Sequence, residues 1–286
     1  MSKRRRKPWV AAAVFAALAI GGCTTASFNS KTSVPAEPSP AIPSTEPSLG
    51  APNDAWVPTV GVSWQWQLTG DIDTSADAEV FDVDLFDVSA DTVETLRHGG
   101  ANVICYFSAG AYEDWRPDAH KFPHDVLGRS NGWEGEKWLD IRQIDALGPI
   151  MAARMDLCVE KGFDAVEPDN IDGYTNSTGF DLSAGDQLEY NRFLAELAHA
   201  RGLSIGLKND LSQIVDLVTD FDFAVNEQCA QFEECAELKP FIDAGKAVFH
   251  VEYELELDEF CPITTALKFS SLLKTYELDA SYETCG

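Results

Sequence analysis

Residues 185–209, GDQLEYNRFLAELAHARGLSIGLKN, contain the repeating unit that decides the fold. Apolar residues recur at helical spacing up to residue 201, Gly202 follows, and residues 203–208 form a short apolar run typical of a buried strand. A glycine at this point closes a helix in the left-handed conformation and lets the chain turn into the strand. The segment therefore predicts one helix-to-strand unit of a parallel sheet.

The same pattern repeats on both sides of this unit. It predicts strands at 62–67, 80–87, 102–108, 163–167, 203–208, 221–226, 246–252 and, with the weakest pattern, 278–282. It predicts helices at 90–98, 141–161, 185–201, 210–219, 234–243 and 262–274. Eight strands without a dinucleotide-binding glycine motif favour an α/β fold of the closed (β/α)₈ TIM barrel type over an open doubly wound sheet.

The first 58 residues have a different composition. Five basic residues at positions 3–7, an apolar run at 9–20 and the sequence Gly21-Gly22-Cys23 are typical of a secretory signal followed by a bacterial lipoprotein processing site. We therefore predict a signal peptide at 1–22, lipidation at Cys23, and an exported protein anchored on the extracytoplasmic side of a membrane. The alternative is plain secretion with an incidental cysteine.

Residues 23–58 are rich in Ser, Thr and Pro and show neither helical nor strand periodicity, so they predict a flexible linker. Residues 59–286 remain for the barrel, within the usual size of that fold. Loss of residues 1–22, which hold five basic and no acidic residues, would leave 16 basic and 47 acidic residues, a net charge of -31. Such a charge repels nucleic acid and attracts polycations, although acidity also serves solubility.

Six cysteines follow the linker: Cys105, Cys158, Cys229, Cys235, Cys261 and Cys285. An even number in an exported protein predicts three disulfides. Short loops favour Cys229–Cys235 and Cys261–Cys285, which leaves Cys105–Cys158. We expect no metal site, because the closely spaced ligand pairs that zinc requires are absent from the sequence. We expect no cofactor either.

Polar and aromatic side chains gather where the predicted strands end, which is where barrel active sites lie. Those that we assign to the site are Trp64, Gln67, Asp84, Asp87, Tyr106, Glu167, Asp169, Asn170, Lys208, Asn209, Glu227, Glu252 and Tyr253. Carboxylates that converge on one mouth repel each other, which raises the pKa of some and produces an acid beside a base. That pair is what glycosidic bond cleavage requires.

The segment 109–140 is predicted to be a long loop at this mouth. Its aromatic residues, Tyr112, Trp115, Trp133 and Trp138, are suited to stacking on sugar rings. Other chemistries lack their sequence motifs, since the chain has no phosphate-binding glycine loop, no GxSxG and no HExxH.

Several strings, in order along the chain, resemble glycoside hydrolase family 114, the endo-α-1,4-polygalactosaminidases. They are SWQWQLTG, DVDLFD, CYFSAGAYEDWRPDA, GEKWLDIR, GFDAVEPDNIDGY, GLKND, AVNEQC and HVEY. The resemblance extends from about Trp64 to Tyr253. It implies a (β/α)₈ barrel that cleaves α-1,4-linked galactosamine polymers, with an aspartate of EPDN and a glutamate of NEQC as its functional acids. These are Asp169 and Glu227 here.

The hypothesis from sequence is therefore internal hydrolysis of a cationic amino-sugar polysaccharide by a monomeric enzyme. Asp169 would be the nucleophile or base and Glu227 the general acid, with retention favoured over inversion. Asp84, Asp87 and Glu252 would bind substrate amines, and Tyr106, Lys208 and Asn209 would bind hydroxyl groups. The alternatives are a non-catalytic carbohydrate-binding surface lipoprotein and a hydrolase of another amino-sugar polymer.

Overall fold

The computed structural model describes residues 55–286, which fold around one curled sheet. The strands in chain order are β1 Trp64–Gln67, β2 Val80–Asp84, β3 Asn102–Ser108, β4 Ala111–Glu113, β5 Glu136–Trp138, β6 Ala165–Asp169, β7 Ser204–Lys208, β8 Phe223–Glu227, β9 Val248–Glu252, β10 Ser270–Leu273 and β11 Glu283–Thr284. The helices are α1 Ala90–His98, α2 Ile144–Lys161, α3 Ala184–His199, α4 Ile214–Leu217, α5 Lys239–Asp243 and α6 Leu257–Ala266. The predicted signal peptide, Cys23 and residues 24–54 of the predicted linker lie outside the described residues.

The main sheet has the order β1-β2-β3-β6-β7-β8-β9-β10-β11, in which all pairs up to β10 are parallel and β11 is antiparallel. The first and eighth parallel strands meet through side chains. The Trp64 indole N–H donates to the Ser270 carbonyl at 2.9 Å, and the Ser270 hydroxyl donates to the Val62 carbonyl at 2.7 Å. Within residues 55–286 no backbone ladder joins β1 to β10, so the curled sheet has one seam. The expected barrel class is confirmed.

Strand alternation separates two apolar cores. One contains Trp64, Trp66, Ile104, Phe223 and Phe249 but no helical residue, and it therefore fills the space enclosed by the sheet. The other joins the outward side chains of the strands to the helices that cover them. Inward side chains nearer the carboxyl ends of β2, β6, β7 and β8 are charged, so the interior changes from apolar to polar towards the mouth.

Specific residues begin and end the helices. Ser89 caps α1, its hydroxyl accepting from the Thr92 N–H at 3.1 Å, and Ser183 and Asp186 form a reciprocal capping box at the start of α3. Gly162 ends α2 at φ 88°, the left-handed conformation expected from the sequence. Across residues 55–286 no helix is long and apolar enough to cross a membrane.

The eighth strand differs from the prediction. It lies at Ser270–Leu273, inside the segment predicted as a helix at 262–274, and residues 278–282 are not a strand. The helix α6 ends at Ala266, and Lys268 takes a positive φ of 63° before the chain pairs with β9. The run Ser-Ser-Leu-Leu has no decisive periodicity, so pairing with β9 determines its structure.

The segment 109–140 is more ordered than a simple loop. β4 and β5 form an antiparallel pair in which Ala111 lies opposite Trp138, and two short 3₁₀ turns lie between them. Trp138 is buried, whereas the Trp115 side chain remains 40% exposed. The segment therefore covers part of the barrel end with a small sheet.

The three disulfides are Cys105–Cys158, Cys229–Cys235 and Cys261–Cys285, which confirms the predicted pairing. The first joins the outward face of β3 to α2, with a Cα–Cα distance of 6.1 Å. The second closes a short loop directly after β8, next to the strand end that carries Glu227.

Candidate active site

Asp169 and Glu227 are the last residues of β6 and β8, the fourth and sixth parallel strands of the barrel. Each occupies an inward position by strand alternation, two residues beyond a buried inward residue, Glu167 and Val225 respectively. Both side chains remain partly open, with 18% exposure for Asp169 and 26% for Glu227. They are therefore accessible from the mouth of the barrel.

Asp169 accepts four hydrogen bonds. Its Oδ1 accepts from the Asn170 backbone N–H at 2.8 Å and from Lys208 Nζ at 2.9 Å. Its Oδ2 accepts from the Tyr106 hydroxyl at 2.7 Å and from Asn170 Nδ2 at 3.1 Å. Burial alone would raise the pKa of Asp169, but Lys208 and these donors outweigh it and hold the pKa below its ordinary value. Asp169 is thus an ionised carboxylate across the neutral range.

Glu227 has a different environment. Its Oε2 lies 3.0 Å from Lys208 Nζ, and its Oε1 accepts a hydrogen bond from the Tyr253 hydroxyl. The Tyr253 ring stacks on Tyr276 with centroids 4.4 Å apart. The Glu227 backbone N–H donates to Asn209 Oδ1 at 3.0 Å, which fixes the end of the strand. Two carboxyl groups in unequal surroundings are the arrangement that lets one act as an acid and the other as a base.

Lys208 joins the two acids. It is the last residue of β7, between their strands, and its ammonium contacts both of them. It also lies 4.9 Å from the ring centroid of Trp66. The neighbouring carboxylates, with Asp169 first, raise the pKa of Lys208 well above its ordinary range even though burial opposes this. Lys208 is therefore a fixed positive charge at the centre of the site.

The residues that follow these strands have left-handed backbones. Asn170 follows β6 at φ 62°, Asn209 and Asp210 follow β7 at 50° and 48°, and Gln228 follows β8 at 65°. Non-glycine residues with positive φ are uncommon and concentrate at functional sites, with Asn and Asp the most tolerant. The chain thus turns sharply after each strand, which leaves the preceding side chain at the mouth.

Of the other residues predicted for the site, Tyr106, Asn170, Lys208, Asn209 and Tyr253 lie around the two acids, as the contacts above show. Glu167 is fully buried beneath them, with Oε1 3.5 Å from Lys208 Nζ. The structure therefore brings six of the predicted partners together with Asp169 and Glu227.

Trp64 and Gln67 on β1 are placed elsewhere. Trp64 is 2% exposed within the apolar interior, and Gln67 supports the following loop by donating to the carbonyls of Thr69 and Asp71. Neither side chain opens onto the mouth, since one is enclosed by the sheet and the other points outward from it.

Two predicted amine-binding acids are occupied by internal contacts. Asp84 pairs with the buried Arg116, with Oδ1 to Nη1 at 2.8 Å. Glu252 points outward from β9, where it accepts from the Ala230 backbone N–H at 2.8 Å and contacts His250. Asp87 keeps 63% of its side chain exposed and lies 3.7 Å from Arg116.

Three acidic residues near the site were not among the predictions. Asp82 is an inward, fully buried residue of β2, and a charged residue at the centre of the apolar run VFDVD was a signal for it. Asp172 is half-buried three residues after Asp169, and burial together with the Asp169 charge raises the pKa of Asp172 to about 6. Behind it, burial raises the pKa of Asp210 to about 8.

Two carboxylates lie at the carboxyl ends of the barrel strands, with aromatic and hydroxyl groups beside them. This arrangement is typical of a TIM-barrel glycoside hydrolase. Residues 45–286 match the family model described as glycoside-hydrolase family GH114. The chain therefore belongs to family GH114 and is a glycoside hydrolase. No curated protein matches it.

Solved structures agree with this assignment. The chain is similar to Aspergillus fumigatus Ega3, solved in complex with galactosamine, at 42% identity and a TM-score of 0.77, covering 80% of this chain and 97% of that one. The glycoside hydrolase domain of Pseudomonas aeruginosa PelA shares the fold at 13% identity and a TM-score of 0.62, covering 79% and 99%. The α-galactosidase TtGalA from Thermus thermophilus shares it at 12% identity and a TM-score of 0.51, covering 79% and 59%.

Proposed function

We propose that this enzyme cleaves a galactosamine-containing polysaccharide internally at α-1,4 linkages, with Asp169 as nucleophile and Glu227 as general acid. The observation that carries the proposal is the contact of one ammonium, Lys208 Nζ, with both acids at the mouth of the barrel. The similarity to Ega3, solved with galactosamine, supports the sugar. The acidic composition of the chain supports a cationic polymer.

The spacing of the two acids favours retention of anomeric configuration. Asp169 Oδ1 and Glu227 Oε2 lie 2.9 Å and 3.0 Å from the same Nζ, so these oxygens can be no further apart than the total, 5.9 Å. Retaining enzymes have carboxyl groups about 5–5.5 Å apart, whereas inverting enzymes need about 6.5–9.5 Å to admit a water.

In the first step the ionised Asp169 attacks the anomeric carbon while Glu227 transfers its proton to the departing glycosidic oxygen. This forms a glycosyl ester on Asp169 and releases the leaving sugar with a free hydroxyl. In the second step Glu227, now a carboxylate, takes a proton from a water whose oxygen attacks the anomeric carbon and displaces Asp169. The four donors to Asp169 favour its departure as a carboxylate.

The ammonium groups of the polymer need acidic partners that are accessible from the mouth of the barrel, and Asp84 and Glu252 are buried. Asp172 and the exposed Asp87 are the acids that we assign to this role, in place of Asp84 and Glu252. Asp172 lies close enough to Asp169 for that charge to raise its pKa, and a bound ammonium would lower the pKa again. Asp172 thus gains a stabilised charge when a deacetylated sugar binds.

We also propose that the enzyme acts outside the cytoplasm, attached to a membrane through a lipid on Cys23. The support is the sequence alone, a basic segment and an apolar run before Gly21-Gly22-Cys23. Metabolic labelling with a radioactive fatty acid tests this, because wild type should incorporate label and Cys23→Ala should not. Label in both proteins would contradict it.

Product analysis with partially deacetylated α-1,4-galactosaminoglycan tests the activity. Wild type should release short oligosaccharides, whereas Asp169→Asn and Glu227→Gln should each lose at least about 1000-fold in rate. Glu189→Gln, on the exposed face of α3, is the matched control and should keep full activity. Saturable binding without cleavage by wild type would indicate a carbohydrate-binding protein. Cleavage only of an α-linked glucosamine polymer would show that the proposed sugar is wrong.

A further inference from the structure

Two carboxyl groups below the active site accept no hydrogen bond from the part of the chain that the structure describes, although one of them lies 3.5 Å from Lys208 Nζ. Asp82 and Glu167 are both 0% exposed, and all four of their carboxyl oxygens are buried without a hydrogen-bond donor from residues 55–286. A buried ionised carboxylate without donors is strongly unfavourable, and two side by side are worse. The structure must therefore neutralise at least one of them.

The strand register brings these two groups together. Asp82 on β2 aligns with Ile104 on β3, which aligns with Ala165 on β6. In an eight-stranded barrel the strands tilt so that inward residues of alternate strands form one layer, offset by about two residues in register. Two residues beyond Ala165 is Glu167, so its carboxyl and that of Asp82 are neighbours in one buried layer of the interior.

Ionised carboxylates are acceptors only, so this contact is a hydrogen bond only when one carboxyl carries a proton. Burial raises the pKa of both groups. Glu167 raises the pKa of Asp82 further, whereas a hydrogen bond from Asp82 lowers the pKa of Glu167, as expected when Asp82 carries the proton and Glu167 accepts it. The charged and titratable groups around the pair are Tyr106 on β3, which aligns with Glu167, Asp169 on β6, Lys208 on β7 and Glu227 on β8. Lys208 is the cation among them.

Lys208 has three N–H donors to distribute. One is donated to Asp169 at 2.9 Å, and the ammonium also lies 3.0 Å from Glu227 and 3.5 Å from Glu167. If Glu167 and Asp82 were both ionised, their combined charge would draw the ammonium down, away from the reacting acids. A shared proton limits that charge and leaves Lys208 directed to the mouth.

We propose that Asp82 and Glu167 are positioning residues that share one proton and thereby hold Lys208 between Asp169 and Glu227. The pair does not touch substrate. It acts through Lys208, which stabilises the ionised Asp169. The proposal rests on the proposed function for the roles of Asp169 and Glu227, but the shared proton itself can be tested without any substrate.

Infrared spectroscopy of the purified protein at pH 6 tests the shared proton. Wild type should show carbonyl stretches of buried protonated carboxylic acids, to which Asp210 contributes its own, and the component from the pair should disappear in Asp82→Asn and in Glu167→Gln. It should persist in Asp169→Asn, the matched control, because the pKa of Asp169 is held low. A difference spectrum that shows no lost acid component in either Asp82→Asn or Glu167→Gln would overturn the proposal.

Kinetics test the positioning role on whichever polymer the wild type cleaves. Asp82→Asn retains a donor to Glu167 and should stay within about fivefold of wild-type kcat/KM. Asp82→Leu has the same branched skeleton but no donor and should lose at least about tenfold, the effect of one hydrogen bond to a charged group. Equal activity in both variants would refute the positioning role. If Asp82→Leu does not fold, the spectra of the two amide variants still decide whether the proton is shared.

Discussion

Replacing Lys208 with methionine should reduce the activity of the enzyme much more at acidic pH than at alkaline pH. The ammonium is 3% exposed and lies 2.9 Å from Asp169 Oδ1. Coulomb's law at this distance, with an effective dielectric constant of about 20, gives about 6 kcal/mol as an upper limit. Measured effects of a close opposite charge on a carboxyl group are smaller, about one to three pH units.

Without Lys208, the effect of burial on the pKa of Asp169 is opposed only by hydrogen bonds from Tyr106 and Asn170. The pKa of Asp169 should therefore rise, and the acid limb of the kcat/KM profile should move up by about one to three pH units. We expect about a 100-fold loss of activity at pH 5. At pH 8, where Asp169 is again ionised, the loss should be no more than about tenfold.

The assay is release of reducing ends from the polymer between pH 4 and pH 9, at a temperature where the variant is folded by circular dichroism. Lys208→Arg keeps the charge and is the matched control, and its acid limb should stay near that of wild type. An equal loss at pH 5 and pH 8 in Lys208→Met would refute the reasoning, because it would mean that Lys208 does not control the ionisation of Asp169.

Three further predictions concern stability. Arg116→Met should lower the free energy of unfolding by about 3–5 kcal/mol in urea titrations, because it removes the ion-pair partner of two buried carboxylates, Asp84 and Glu113. Arg192→Met, which breaks an exposed pair, should cost less than about 1 kcal/mol, and equal losses in the two variants would contradict this. Since the folded protein raises the pKa of Asp210 to about 8 from an unfolded value of about 4, its contribution is complete below pH 4 and is lost as the pH rises to 8. Asp210→Asn should therefore flatten the decline of the urea midpoint between pH 5 and pH 9, and an unchanged slope would count against the assignment. Removing Cys105–Cys158, which spans 53 residues, should lower the free energy of unfolding by about 4 kcal/mol. Removing Cys229–Cys235, which spans 6, should lower it by about 2 kcal/mol, and the reverse order would be inconsistent with loop-closure entropy.

Local patterns predicted most of the barrel because its units are local. Gly162 and Gly202 both follow helices and have positive φ, and α1 has the predicted bounds, 90–98. The exception was β10, since its pairing with β9 overrides a segment whose composition suits either helix or strand.

The candidate site was predicted in part. Asp169, Glu227 and their partners Tyr106 and Lys208 lie together because the carboxyl ends of parallel strands meet at one end of a barrel. Glu252 also lies at a strand end, but it occupies an outward position. Strand alternation places Glu252 on the outward face of β9 and Asp82 on the inward face of β2.

The sequence by itself determined the type of fold, the order of its strands and the positions of the two principal acids, because these follow from periodicity and from motifs contiguous in the chain. Tertiary structure decided which carboxyl groups are available for chemistry. Arg116 lies 32 residues after Asp84 and pairs with it, whereas Asp82 and Glu167, on separate strands, are neighbours that accept no hydrogen bond within residues 55–286. Such pairings depend on barrel tilt and loop packing, which no local pattern encodes, and they determine the charge on each acid.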